Sequence, residues 1–378
     1  MTSLPVKIAE NVSHAWYSQH GTGRIDIPVG VVAALTLIGQ ADPNGPDLAA
    51  QIAALDGPGL LELLQDIWDR QWIADPFLVE QARPLHDWLR EDHGEQEIIG
   101  ARAVARAALR HGLLRVTGWR DPGQRADEDV LGPVIMELRA KDARQGLGEF
   151  HTPAPVADSM ADVLLGGGPR PPGARRHRVR SRGGVPVKVS GDAADQAAED
   201  AAAANVAGIF MAAKDDPPKP GTSYYDPCVG SGGLLRAAAQ YLRSIGCDPA
   251  DMVWCGTDID PIAAAAFAVN AMVWGLGPNV LVYCGNTLAE GDLPQQAAAK
   301  RRSVLEHHAR VVGIARETAA WFAALAAVEA LVGAISDEHP ADGSAEQSGP
   351  GPELAAAGTP EPVRVVRMSE VPDSQRPP

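Results

Sequence analysis

The chain has 378 residues, 45% of them hydrophobic, and a formal net charge of −15; at ~100–200 residues per domain that allows two or three domains with real cores. So acidic a chain cannot hold nucleic acid by overall charge, because phosphate binding runs on Lys and Arg, and any DNA contact calls for a partner or a local basic patch. Met1 to Glu10 lacks the basic-then-apolar order of a signal peptide, and no stretch approaches the roughly 20 uninterrupted apolar residues of a membrane span, so a cytoplasmic protein with no membrane contact is expected.

From Val29 to Leu89 apolar residues recur at helical spacing, as in Leu60, Leu64, Ile67, Trp68 and Trp72, with Asp-Pro and Gly-Pro pairs stopping the helices. Ile98 to Leu114 continues the pattern, and a turn-rich interval from Trp119 to Asp129 marks a soft boundary. Residues 1–128 therefore read as a helical domain. A helix from Val130 to Ala143 leads into Gly146-Leu-Gly-Glu-Phe-His-Thr152-Pro153, a tight loop before another helix from Val156 to Leu165. Seven Lys and Arg residues and no acidic ones lie between Pro169 and Ser190. That insertion, about 169–221 with the Ala-rich Asp192 to Ala213, is either a solvated excursion or a basic hairpin that touches DNA.

Thr222 to Leu235 reads as a short strand, a turn with Gly230, Gly232 and Gly233, and the start of a helix that runs to about Leu242. These glycines let backbone approach a ligand where a helix start offers free N–H groups. A dinucleotide fingerprint would need Gly or Ala at position 235, which is Leu235, so NAD is a poor guess. Met252 to Asp258 is a second strand ending in carboxylates, and a helix from Ile262 to Trp274 follows it. Asp258 at the strand end is the first choice for a ribose diol, while Asp260 suits a helix cap with Pro261 behind it. Val280 to Leu288 supplies a third strand and another polar turn, so Asp226, Asp258 and Asn286 share one carboxyl edge, where open α/β sheets bind ligands. Cys228, Cys247, Cys255 and Cys284 show no metal spacing, three of them are expected at buried strand ends or in a strand-to-helix loop, and no metal is assigned.

Asp226-Pro227-Cys-Val-Gly230-Ser-Gly232-Gly233, Gly256-Thr-Asp258 with Asn270, and Gly285-Asn286-Thr-Leu288 together resemble the first three motifs of the amino-group DNA methyltransferases. Gly148-Glu-Phe-His-Thr152-Pro153 and Asp129-Val-Leu-Gly132 resemble segments that precede them in the modification subunits of type I restriction enzymes. The resemblance implies an adenine-N6 DNA methyltransferase with S-adenosylmethionine as cofactor, held by a partial Rossmann-like α/β sheet at 129–294. It implies that Thr152 and Pro153 line the methionine end and that Asp226, Pro227, Gly230 and Gly232 hold the centre. Asp258 would take the ribose, and Asn286, where that family usually has Asp, would lie against the adenine. DNA is the implied substrate, and a specificity subunit or a second methyltransferase chain the implied partner.

The family also supplies Asn or Asp, Pro, Pro, then Tyr or Phe to hold a flipped adenine and stack on it. No such run follows Leu288; Asp216-Pro217-Pro218-Lys219 precedes the first motif and carries Lys in the aromatic position. The catalytic residues are thus unassigned, the sheet is expected to be truncated on one side, and an inactive cofactor-binding or assembly subunit is the alternative reading. A methyltransferase acting on a small molecule or protein would share the cofactor turns without the Thr152-Pro153 segment. Residues 295–336 read as a long helix whose Val311, Ile314, Thr318, Trp321, Leu325, Val328, Val332 and Ile335 form a seam. That seam is expected to pack on the chain's own sheet edge or on a specificity subunit. Residues 337–378, rich in Pro, Gly, Ser and Glu, are expected to be disordered.

Overall fold

The computed structural model describes residues 3–19, 23–39, 47–139, 152, 154–166 and 217–337. Pro153, the basic and Ala-rich insertion up to residue 216 and the tail beyond 337 therefore lie outside the described residues. The chain divides into two compact units, Met1–His308 and Ala309–Pro378.

The first unit is mostly helical with a small parallel sheet. Helices α1 (Leu4–Gln19), α2 (Asp26–Thr36), α3 (Leu48–Ala54), α4 (Gly57–Ala74), α5 (Pro76–Gln81), α6 (Glu95–Arg110), α7 (Leu113–Thr117), α8 (Pro122–Arg125) and α9 (Leu131–Leu138) come first. Their starts follow local chemistry: Asp47, Asp56 and Asp121 each accept a backbone N–H from the first turn of the helix they precede. The helix expected from Val130 to Ala143 ends at Leu138, where Arg139 is already extended. Helix α10 (Ala154–Gly166) then runs along α11 (Gly233–Ser244), with Ala157 and Ala161 packed against Ala237.

Strands β1 (Ser223–Asp226), β2 (Val253–Asp258) and β3 (Val280–Cys284) form a parallel sheet in the order β1-β2-β3. The register pairs Tyr224 with Trp254 and Trp254 with Val280, and it pairs Tyr225 with Cys255 and Cys255 with Leu281. Side chains alternate across the pleat, so Tyr224, Trp254, Val280 and Val282 share one face and join the main core. The rings of Tyr224 and Trp254 stack there at 4.8 Å. Tyr225, Cys255, Leu281 and Tyr283 share the other face, covered by Ala297 and Ala298.

Helix α12 (Pro261–Val273) connects β2 to β3 and is apolar on every side; ten of its residues from Ala263 to Val273 are buried. Such a helix must be covered all round, and here α2, α5 and α9 cover the side away from the sheet. The core is consequently continuous from Ile8 in α1 to Val282 in β3.

The last helix, α13 (Leu293–Asp337), starts in the first unit, where Leu293, Ala297 and Ala298 are buried. The residues that cover the sheet are thus 293–304, upstream of the seam expected to do so. In the second unit Ile314, Trp321, Leu325 and Val328 of that seam are 41–64% exposed. A window within Leu293–Leu331 has a mean hydropathy of 1.5, so by length and composition this helix could cross a membrane. A count of uninterrupted apolar residues misses it because Glu329 breaks the run.

Candidate functional site

The site is built where the three strands end. Asp226, the last residue of β1, is buried, and its carboxylate accepts the Cys228 N–H at 3.0 Å. That bond fixes the turn through Pro227. Burial pushes the Asp226 carboxyl above its usual range, the Cys228 N–H opposes the shift, and the negative charge of Asp258 adds to it. The Cys228 thiol is pushed up for the same reasons, burial first and then both aspartates.

Asp258, at the end of β2, faces this turn. One of its oxygens takes the Gly230 N–H at 2.8 Å and the other takes the Asp260 N–H at 3.0 Å. A carboxylate has about four acceptor positions, so two remain for a ligand. Asp260 is the helix cap foreseen from Pro261: it accepts from Ile262 and Ala263 at the start of α12 and also pairs with Arg139.

The two positive-φ glycines of the turn differ. Gly230 has φ +55 and nothing within 4 Å of the place its Cβ would occupy. Gly232 has φ +95, and a Cβ there would sit 2.5 Å from Phe267. Gly232 is thus a packing requirement of α12 rather than an opening for a ligand, whereas Gly230 leaves open space beside Asp258. Gly233 is also open, and α11 starts there without a side-chain cap, so its first amides are available to an anion or carboxylate.

Asn286 follows β3, but its side-chain oxygen accepts the Leu288 N–H at 3.0 Å and its own N–H goes to Glu290. The group expected against an adenine amine thus shapes its own turn. Leu288 is 99% exposed and Ile259 58% exposed on the neighbouring turns. Thr152, half-buried, stands just ahead of α10, which lies along α11.

Ties among these turns leave no local mark in the sequence. Thr287 donates to the Pro227 carbonyl at 2.9 Å and meets Thr257, which in turn meets Tyr225. The Val229 N–H reaches the Thr257 carbonyl and the Gly285 N–H the Asp258 carbonyl, both at 2.9 Å. Arg236, 2% exposed, donates to the carbonyls of Ala126 and Asp127 and to the Asp158 carboxylate. The Asp226, Asp258 and Asn286 turns are therefore one assembly.

All four cysteines are free; Cys228 is exposed in the strand-to-helix loop where it was expected, and Cys284 is exposed, contrary to the expectation of a buried strand end, because it occupies the last paired position of β3. Among the described residues no three His, Cys, Asp or Glu side chains are grouped to hold a metal. A cavity of about 250 Å³ between Gln81, Arg83, Pro261, Cys284 and Lys300 flanks the turns without containing them.

The family model for N-6 DNA methylases matches residues 206–301. The match takes in all three strands and every turn described above, and it supports an adenine-N6 DNA methyltransferase family for this part of the chain. No curated protein matches the chain.

Proposed function

We propose, taking the N-6 DNA methylase match as premise, that residues 217–301 bind S-adenosylmethionine on the carboxyl edge of the sheet for adenine-N6 methylation of DNA. The observation that carries this reading is the pairing of Gly230, backbone-open at φ +55, with the Asp258 carboxylate 2.8 Å from its N–H. The chain's groups suit that cofactor. Asp258 has acceptor positions left for two ribose hydroxyls, and the uncapped start of α11 suits a carboxylate. Gly230 lets the turn approach without a side chain, and Asp226 holds the turn's shape from below. Thr152 and Pro153 belong at the methionine end in this reading, and Asn286 with exposed Leu288 beside the base.

Bound S-adenosylmethionine supplies an activated methyl group on a sulfonium. What the described residues contribute is binding and orientation. The Asn/Asp-Pro-Pro-aromatic run that would grip a flipped adenine is missing from the sequence. The reading therefore assigns that grip to a second methyltransferase chain or to a specificity subunit of a restriction-modification system. The same partner, or the basic insertion, offsets the net charge of −15 at the DNA.

The test is calorimetric titration of the purified chain with S-adenosylmethionine, repeated with Asp258→Asn and Asp258→Ala. Saturable binding, weakened in both variants and more in Ala than in Asn, supports the site; heat-free titrations of the wild type overturn it. Labelled methyl transfer to adenine in DNA, with and without host extract, then separates a chain active alone from one completed by a partner.

A further inference from the structure

We propose that Asp129 is the positioning residue of the cofactor turn, a latch that reaches from the start of α9 and fixes Ser231 between Gly230 and Gly232. This rests on the S-adenosylmethionine reading above.

Ser231 is the only residue from Gly230 to Gly233 with a side chain, so it is the turn's only side-chain handle. Its hydroxyl donates to one Asp129 oxygen at 2.6 Å. The other Asp129 oxygen accepts the Asn270 amide at 3.0 Å and the Gly132 N–H at 3.2 Å. The same Asn270 nitrogen donates to the Ser231 carbonyl at 2.8 Å. One carboxylate thus joins three distant segments: the start of α9, the glycine turn and the last turn of α12. Ser231 is 1% exposed and Asn270 3% exposed, so water does not replace the bonds when they break.

The consequence runs along the backbone. Ser231 sits beside Gly230, whose N–H meets Asp258, so the latch sets the spacing between the turn and the carboxylate that would hold the ribose. Positive-φ glycines on either side give the turn no stiffness of its own. Asp129 itself accepts from three donors of the chain. Its action is through Ser231. Arg139, the residue just past the far end of α9, pairs with Asp260 in the next cofactor loop, so both ends of this helix grip the site.

A mere helix cap is the competing role, since Asp129 also serves Gly132, and the variants separate the two. Asp129→Ser keeps a side chain able to cap α9 but cannot reach both Ser231 and Asn270. Asp129→Asn keeps an oxygen for Asn270 and offers an N–H to the Ser231 hydroxyl. Titration with S-adenosylmethionine is expected to show about tenfold weaker binding in Asp129→Ser and recovery of most of that loss in Asp129→Asn. Adding Ser231→Ala to Asp129→Ser is expected to weaken binding no further. Equal affinity in the wild type and Asp129→Ser would overturn the latch while leaving the binding site standing. Amide hydrogen exchange of the ligand-free chain supplies a readout that needs no cofactor: the Gly230–Gly233 amides should exchange faster in Asp129→Ser. Unchanged exchange at the turn overturns the latch even if the wild type binds no S-adenosylmethionine, an outcome that would instead sink the proposed function.

Discussion

A single side chain shows how the site trades stability for its shape. Asp226 is 8% exposed and its carboxyl is shifted upward by burial. Its proton is held more tightly in the folded chain than in the unfolded one, so the linked stability is full below the unfolded value of about 4 and is lost as pH rises through the folded value. Asparagine does not titrate and can still accept the Cys228 N–H. Asp226→Asn is therefore expected to melt higher than the wild type at neutral pH, with the gap closing as pH falls below the ordinary carboxylate range. Thermal scans across pH check this, and a gap that widens in acid would contradict the burial argument. Asp226 and Asp258 were legible in the sequence because each ends a strand, and strand ends face the ligand edge of a parallel sheet. Asp129 was legible only as part of a motif, since its partners lie 102 and 141 residues away and such bonds leave no periodic trace.

At the level of elements the sequence foretold the three strands in order, and the ends of the helices after β1 and β2 to within two residues, because a glycine turn, Asp-Pro and Gly-Pro are strong local punctuation. It did not separate the glycines by role. Gly232 answers to Phe267 on α12 and to Trp274 just past its end, both at or under 3.0 Å from its missing Cβ, whereas Gly230 answers to open space. Gly232→Ala combines a left-handed backbone with a clash in a closed core, and a loss of about 3 kcal/mol is expected. Gly230→Ala carries the backbone cost alone, about 1–2 kcal/mol, yet its methyl group stands where the cofactor would approach. Chemical unfolding should rank Gly232→Ala as the less stable variant, and cofactor titration should rank Gly230→Ala as the weaker binder relative to its own stability. A reversed ranking in the unfolding series would mean that α11 and α12 do not close on the turn as described. The same packing logic explains the last helix, whose periodic seam suggested cover for the sheet while the small Ala297 and Ala298 supply it. A seam records that a face is apolar and says nothing of which neighbour is close enough to use it.

At the scale of the whole first unit, the N-terminal helices and the sheet share one core. Composition suggested a boundary near Asp129, since a polar, turn-rich stretch is how linkers read. That stretch is tied down: Arg236 is bound to the carbonyls of Ala126 and Asp127, Gln240 to Gly123 and Asp127, and Asp129 to the glycine turn. Helix α12 is the reason the tie is needed. Phe267, Val269 and their alanine neighbours are fully buried between the sheet and helices α2, α5 and α9, and uncovering that face would present a contiguous apolar patch to water. A chain lacking residues 1–128 is therefore expected to lose cooperative melting and to aggregate, although every strand and every turn residue at the sheet's carboxyl edge remains in it. The intact chain should unfold its first unit in one step, with tryptophan fluorescence, which reports Trp16, Trp68, Trp88, Trp254 and Trp274 across both halves, tracing the same urea transition as far-UV circular dichroism. Two separated transitions, or a soluble and cofactor-binding fragment from residue 129 onward, would show that the helices are an appendage. Coincident transitions would mean that the grip on the glycine turn is set as far away as the packing of α1 and α6.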